Sequence, residues 1–351
     1  MLDNISDAWL LTFFGFAGGM VLGLAARLGR FCTLGAIEDF LYQDSSIRLR
    51  MWVLAIAVAG LGSFTLVALG HLDLAQTVYQ ISPWSPAASV VGGLLFGYGM
   101  SLAGNCGFGA LARFGGGDLR SFVIVLVMGI SAYAMLSGPF ATARVAFIDS
   151  TTIPVESHGY AGLISSLSGL STAFIGLMLT SGIGLLALSS RSFLKDTKSI
   201  AWACLAGLAI ASGWAGTQWV ASTGFSTAPV ISHTFTAPLG ETLIFLMTSS
   251  GGGLSFSVGS VFGVLTGAFC GSLIKGHFRW EACDDPRELK RQFLGAMCMG
   301  FGAVLAVGCT IGQGISAFSV LAFSAPITFT AIFAGAALGL RQLITGFAWS
   351  S

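Results

Sequence analysis

With 351 residues, 54% of them hydrophobic and only 9% charged, and a mean hydropathy of +0.84, the chain has too few polar side chains to coat a soluble globule. Its formal net charge of +1 expresses no preference for acidic partners, and no basic patch points to nucleic acid. What remains is an all-α polytopic membrane protein, in which the placement of the basic residues matters more than their sum.

The opening stretch "MLDNISDAW" carries Asp3 and Asp7 where a secretory signal would carry Lys or Arg, and no small-residue cleavage site follows. The first helix is therefore expected to be retained. A bilayer core of about 30 Å takes roughly 20 apolar residues per helix. On that ruler nine crossings are expected, near 8–29, 51–70, 86–112, 119–138, 161–190, 199–221, 240–275, 292–320 and 326–345. The lipid bilayer is thus the first expected partner. Loops 30–50, 113–120, 191–198 and 275–291, together with Arg27 and Arg341, hold 15 of the 16 Lys and Arg residues. Loops 71–85, 139–160 and 222–239 hold only Arg144. Such a split places the N-terminus outside and the C-terminus in the cytoplasm.

Segments 83–112, 240–275 and 292–323 each exceed one span by about ten residues, and each contains a glycine cluster: "GYGMSLAGNCGFG", "SSGGGLSFSVG" and "GFGAVLAVGCTIGQG". Excess length with glycine predicts broken or re-entrant half-helices, tolerated only where the backbone is buried in protein or lines a cavity. Close helix packing is the other use of such glycines. Setting "FGYGMSLAGNCGFG" (96–109) over "MGFGAVLAVGCTIG" (299–312) matches Gly97 with Gly300, Gly99 with Gly302, Cys106 with Cys309 and Gly109 with Gly312. The chain reaches Cys106 from outside, after Pro83 and Pro86, and Cys309 from inside, after Lys290 and Arg291, so the repeats are inverted. We expect one membrane domain, 1–351, with inverted repeats at about 8–138 and 240–345 joined by linking helices at about 161–221. In this architecture discontinuous helices meet mid-membrane and bind the substrate between the repeats.

After each cysteine a helix restarts, near Phe108 and near Ile311, and its free N–H groups and positive dipole end favour an anion. The half-helices that end at the same breaks bring opposing dipoles. No Lys or Arg lies between 51 and 112 or between 292 and 340, so a buried countercharge is not expected. Neutral donors remain: the thiols of Cys106 and Cys309, the amides of Asn105 and Gln313 and the hydroxyl of Thr310. A thiol is a weak donor, suited to holding a large, soft, weakly hydrated anion loosely.

The remaining cysteines show no CxxC and no Cys/His cluster, so no metal or cofactor is expected. Cys204 reads as packing and Cys283 as incidental to a charged loop. Cys298, three turns before Cys309, reads as packing too. Cys270 is a candidate for the path, and Cys32, after Arg30, is either an exit contact or packing. His233 is placed in an outer loop and expected to be solvated. A membrane thiol oxidoreductase would show cysteines in its outer loops, and these have none. A passive anion channel or a sensory subunit remains an alternative to a transporter.

The segments "LGRFCTLGAIEDFLYQDSSIRLR", "AGNCGFGALARFGGGDLRS" and "GFGAVLAVGCTIGQGISAFS" resemble the YeeE/YedE family of bacterial inner-membrane proteins, over most of the chain. The resemblance implies an hourglass-like fold and uptake of thiosulfate or a related sulfur or selenium compound, passed along membrane cysteines. It carries over directly to Cys106 and Cys309, and to Cys32 less closely. Many members show AGGC at both sites, where this chain has AGNC and AVGC. Thiosulfate-transporting members have a further cysteine before the last repeat. The matching stretch here, Ser249 to Ser260, offers serines, with Ser255 and Ser257 as candidates for the path. The resemblance also implies a cytosolic sulfur-carrier protein as partner, for which loops 191–198 and 275–291 offer basic docking surfaces, although the same charges serve to fix topology.

The charge split makes a direct prediction: a reporter fused after Ser351 is cytoplasmic and one inserted near Asp73 or Glu156 is external. Finding both ends of the chain on one side of the membrane would overturn the nine-span, inverted arrangement.

Overall fold

The computed structural model describes residues 6–154, 159–224, 228–250, 253–282 and 286–346, and Glu156 and Cys283 lie outside them. Among the described residues the chain is helical, without strands. Two isolated bridges, Thr77 to Val230 and Asp118 to Glu281, tie loops together. The first half contains α1 (Asp7–Leu28), α2 (Thr33–Tyr42), α3 (Ile47–Ala68), α4 (Val78–Ile81), α5 (Pro86–Ala103), α6 (Gly107–Gly115), α7 (Leu119–Leu136) and α8 (Ala141–Thr151). The second contains α9 (Gly159–Ser168), α10 (Thr172–Leu188), α11 (Arg191–Lys195), α12 (Thr197–Thr223), α13 (Ala237–Thr248), α14 (Phe256–Ile274), α15 (Pro286–Leu305) and α16 (Ser324–Thr345).

Seven helical stretches are long and apolar enough to cross a membrane, and α9 with α10, bent by 119°, makes an eighth if taken as one span. The differences from the expected crossings have local causes. Ser171 caps α10 by accepting the Phe174 N–H at 3.4 Å, so 161–190 folds as two helices rather than one. Segment 240–275 divides into α13 and α14, with Ser255 capping the second. α15 carries Arg287, Glu288, Lys290 and Arg291 in its opening turns, which lowers its apolar character.

Between helices in lipid there is little hydrophobic drive, so close backbone approach supplies the attraction, and small residues permit it. α1 and α14 meet along Gly15, Gly19 and Gly23 facing Gly259, Gly263 and Gly267. A methyl group added at Gly19 would lie 2.3 Å from the Ser260 carbonyl oxygen. α5 is packed between α15 and α16. Gly92 lies against Gly302, and Gly99 lies against Gly295. When the two glycine-cysteine segments are aligned, Gly92 falls on Gly295 and Gly99 on Gly302, so these two contacts are one contact met twice. The neighbours follow suit: Gly97 of α5 abuts Ile332 and Ala336 of α16, and its aligned partner Gly300 of α15 abuts Met128 and Ala132 of α7. A self-complementary contact of this kind is what a two-fold relation between helix pairs produces.

Gly97→Ala and Gly300→Ala each force a methyl group into backbone, against the Ile332 carbonyl oxygen and 2.8 Å from the Met128 carbonyl oxygen respectively. Both are expected to destabilise by about 1–3 kcal/mol. Gly182, on α10, has open space around it, so Gly182→Ala should be neutral or stabilising through helix propensity. Thermal unfolding of the detergent-solubilised variants checks the contrast.

Candidate functional site

Two helices stop inside the bundle, and each does so at a cysteine. α5 ends because Gly104 adopts φ +73, a left-handed conformation glycine enters at little cost. α6 restarts at Gly107 with Cys106 as its cap, the sulfur accepting the Gly109 N–H at 3.4 Å. α15 ends at Leu305 and turns through Val307 (φ 54) and Gly308 (φ 151) to Cys309, whose sulfur accepts the Gly312 N–H at 3.5 Å. A β-branched residue in the left-handed region is strained by about 1–2 kcal/mol, and Val307 is held there by what surrounds it. The chain then becomes helical again at Thr310 and passes into a π-helical turn, Gly312–Ala317. Single π turns inside helices recur at functional positions.

The two breaks face each other. Cys106 and Cys309 are both fully buried, and the Cys106 thiol has Thr310 and Cys309 of the other break, and also Cys32, as neighbours. Thr310 Oγ1 is buried without a hydrogen-bond partner that satisfies it. An unmet hydroxyl beside a thiol, at the meeting point of two helix N-termini, leaves donors available to a guest.

The other two predicted donors are engaged. The Gln313 amide nitrogen donates to Ala306 O at 2.8 Å and Val307 O at 3.1 Å, and its oxygen accepts from Ser324 Oγ at 3.0 Å. Gln313 thus closes carbonyls that the end of α15 leaves open. The Asn105 amide, oriented by its hydrogen-bonding surroundings, donates to Gly104 O at 3.1 Å and accepts from Arg113 Nε at 2.9 Å and Nη1 at 3.0 Å. A basic residue nonetheless bonds to the first break, from an exposed position and not as a buried countercharge. Arg113 lies just past the stretch free of Lys and Arg, and its side chain reaches back along α6, as helical side chains tilt toward the N-terminus.

A cavity of about 380 Å³ adjoins this end, lined by Arg27, Arg30, Arg48, Arg113, Lys275 and His277 with Cys32, Asn105 and, among the described residues, a single carboxylate, Glu38. Arg48 is paired with Asp39 at 3.0 Å. Burial first, and then the nearby Arg30 and Arg27, hold the Lys275 ammonium below its usual pKa. A second cavity, of about 480 Å³, lies by the other break. Val307, Gly308, Thr234, Thr236, Ser257 and Glu241 line it with mostly apolar neighbours, and Arg144 and Asp149 stand at its wall.

Residues 230–236, read from sequence as an outer loop, are part of the site. Cys309 Sγ accepts the Phe235 N–H at 3.3 Å and lies 3.5 Å from Thr234 Oγ1. His233, expected to be solvated, is instead fully buried: Nδ1 is 2.6 Å from Ser260 Oγ, and the ring packs on Phe235 and Phe256. Ser316 Oγ donates to the His233 carbonyl at 2.7 Å, which fastens the segment to the π-helical turn. Among the lower-ranked candidates, Cys32 lines the basic cavity and Ser257 the other. Ser255 bonds Glu241 at 2.5 Å. Cys270 is partly exposed on α14 and lines neither cavity. Among the described residues no group of three His, Cys, Asp or Glu could hold a metal.

Residues 28–338 match the model of the sulphur-transport family, the family of YeeE/YedE proteins. The chain belongs to it. A thiosulfate transporter, TsuA, of Spirochaeta thermophila is 28% identical over 322 residues, 88% of this chain and 92% of that protein. TsuA of Escherichia coli is 25% identical over 319 residues, 86% of each. A probable transporter, YedE, of Salmonella typhimurium is 28% identical over 159 residues, 45% of this chain and 38% of the relative. This member of the sulphur-transport family is a multi-pass membrane transporter and not an enzyme.

The geometry separates two roles that sequence left merged. If Gln313 holds the break, Gln313→Leu strands two buried carbonyls and destabilises by about 1–3 kcal/mol, seen as a lower unfolding temperature in detergent without ligand. An unchanged unfolding temperature with weakened transport would instead make Gln313 a substrate contact.

Proposed function

We propose that the chain takes up a sulfur-containing anion, thiosulfate foremost, through a central constriction at Cys106 and Cys309. The observation that carries this reading is the pair of fully buried thiols, one at each helix break, neighbouring each other between two cavities. Cys309 Sγ accepts two backbone N–H groups and has Thr234 Oγ1 at 3.5 Å, so its hydrogen can turn between that hydroxyl and a guest. Cys106 stands the same way over Gly109. An N–H···S–H chain polarises the thiol, making it a better donor to a soft anion while leaving the contact weak enough to break. Conduction needs that balance: binding strong enough to admit and weak enough to release.

The names of the matched relatives support thiosulfate as the anion. The concentration of basic residues around one cavity supports a cytoplasmic position for it, with the N-terminus outside, in a bacterial inner membrane. Anions would then enter through the Thr234 and Glu241 cavity and move toward positive charge. The paired glycine contacts of α5 and α15 support two inverted repeats. Loops 191–198 and 275–291 would dock the cytosolic sulfur-carrier that receives the product.

Replacing either cysteine with alanine should abolish uptake while leaving expression intact, because the Thr310 hydroxyl and the remaining thiol are too few donors to replace the lost water shell. Serine should rescue poorly, since the hydroxyl is shorter and a poor match for a soft sulfur atom. A purely packing role predicts the opposite, tolerance of both at a loss of roughly 1 kcal/mol. Thiosulfate-dependent growth and vesicle uptake of the alanine and serine variants at 106 and 309, with Cys204→Ala as control, decide; near-normal transport would overturn the relay.

A further inference from the structure

We propose that Arg113, held by Asn105 on the basic-cavity side of Cys106, forms with Arg27 a receiving site for a divalent sulfur oxyanion leaving the thiols. The inference rests on the transport reading above. It adds a specificity-determining pair to it and explains what Asn105 does.

The argument begins with what each guanidinium touches. Arg113 gives two of its five N–H donors to the Asn105 amide oxygen, at 2.9 and 3.0 Å. Arg27 Nε donates to Ser272 Oγ at 2.7 Å, and its Nη2 lies over Gly116, the residue that caps α6 three positions after Arg113. The two groups are close enough to repel each other. Both line the basic cavity with Asn105 and Cys32. Among the described residues, neither has a carboxylate within ion-pair reach, whereas Arg48 pairs with Asp39, Arg279 with Glu281, and Arg120 with Asp118, Glu281 and Glu288. Glu281 and Asp118 act on Arg27 only from beyond ion-pair reach, and two adjacent cations whose hydrogen bonds, among the described residues, end on neutral oxygens are poised for an anion.

The chemistry of the step follows. An anion arriving from Cys106 replaces the neutral Asn105 oxygen with charged oxygens, and charge-assisted bonds to a guanidinium are roughly twice as strong as neutral ones. Asn105 then offers the return partner: as the anion leaves into the cavity, Arg113 falls back on the amide, so the site does not become a trap. A dianion neutralises both guanidinium groups and removes their mutual repulsion, while a monoanion of the same size leaves one charge uncompensated. The pair therefore selects for charge, where the thiols select for softness.

The test uses methanethiosulfonate, a monoanion in which a methyl group replaces one oxygen of thiosulfate, as competitor of labelled thiosulfate uptake into vesicles. Wild type should favour thiosulfate. Arg113→Gln and Arg27→Gln should each lower that preference by at least about tenfold, the scale of one charge-assisted hydrogen bond, whereas Arg113→Lys keeps most of it. Because the readout is a ratio between two anions, a change in protein amount cannot produce it, and if one Gln variant fails to insert the other carries the same test. A preference within twofold of wild type in an inserted Gln variant overturns the receiving site while leaving thiol-mediated uptake standing. Absence of uptake by wild type overturns the transport reading itself.

Discussion

A helix that stops halfway across a hydrocarbon layer leaves backbone donors and acceptors that no water can reach, and each of them must find a partner inside the protein. Both α5 and α15 end inside the helical bundle and meet the same requirement there. The surrounding structure can be read as the set of solutions. At the first break Gly104 turns the chain, Cys106 sulfur takes a free N–H of the next helix and the Asn105 amide closes onto the Gly104 carbonyl. At the second, Gln313 reaches back to two carbonyls of the chain that has just ended, and Cys309 sulfur accepts donors from its own helix and from Phe235. Sulfur serves at both places as a weak acceptor of the first free N–H groups of the next helix.

Keeping two such breaks opposed demands close packing on every side. Glycine stripes let α5 approach α15 and α16 at backbone distance, and let α1 approach α14 likewise. The same intimacy explains why residues 230–236 are buried: the segment fills the space beside Cys309 that two shortened helices cannot fill. A chain of bonds secures it, from Trp214 Nε1 to Ser319 Oγ at 2.9 Å, from Ser319 to the Ser316 carbonyl and from Ser316 to the His233 carbonyl, each at 2.7 Å. Val307, exposed to the second cavity, keeps its left-handed backbone with its carbonyl held by the Gln313 amide at 3.1 Å.

Charge then gives the arrangement a direction. One cavity mixes Arg144 with Asp149 and Glu241 among apolar walls, while the other gathers four arginines, a lysine and a histidine around one carboxylate. Low-dielectric walls focus the field of such a cluster. The residues from which the positive-inside rule predicts orientation are in part the residues that shape this field, so the expected topology and the proposed pull on an anion rest on one set of charges.

Composition and spacing by themselves determined the membrane class, most of the helices and the location of both breaks. Apolar length, glycine clusters and the aligned cysteines are local properties of the chain, and a hydrocarbon solvent leaves helix as the only economical answer. The role of each side chain at the breaks was decided elsewhere. Gln313 and Asn105 look alike as amide donors in the sequence, but one caps carbonyls and the other holds Arg113, a distinction set by where neighbouring chain ends fall. Arg113 itself was legible only as a topology charge, because its reach back along α6 depends on side-chain direction rather than position. His233 and Phe235 read as loop because no periodic pattern surrounds them, and only the space left beside Cys309 draws them in. Cys270, near the second break along the chain, faces away from both cavities, since sequence proximity does not decide which face of α14 meets the site.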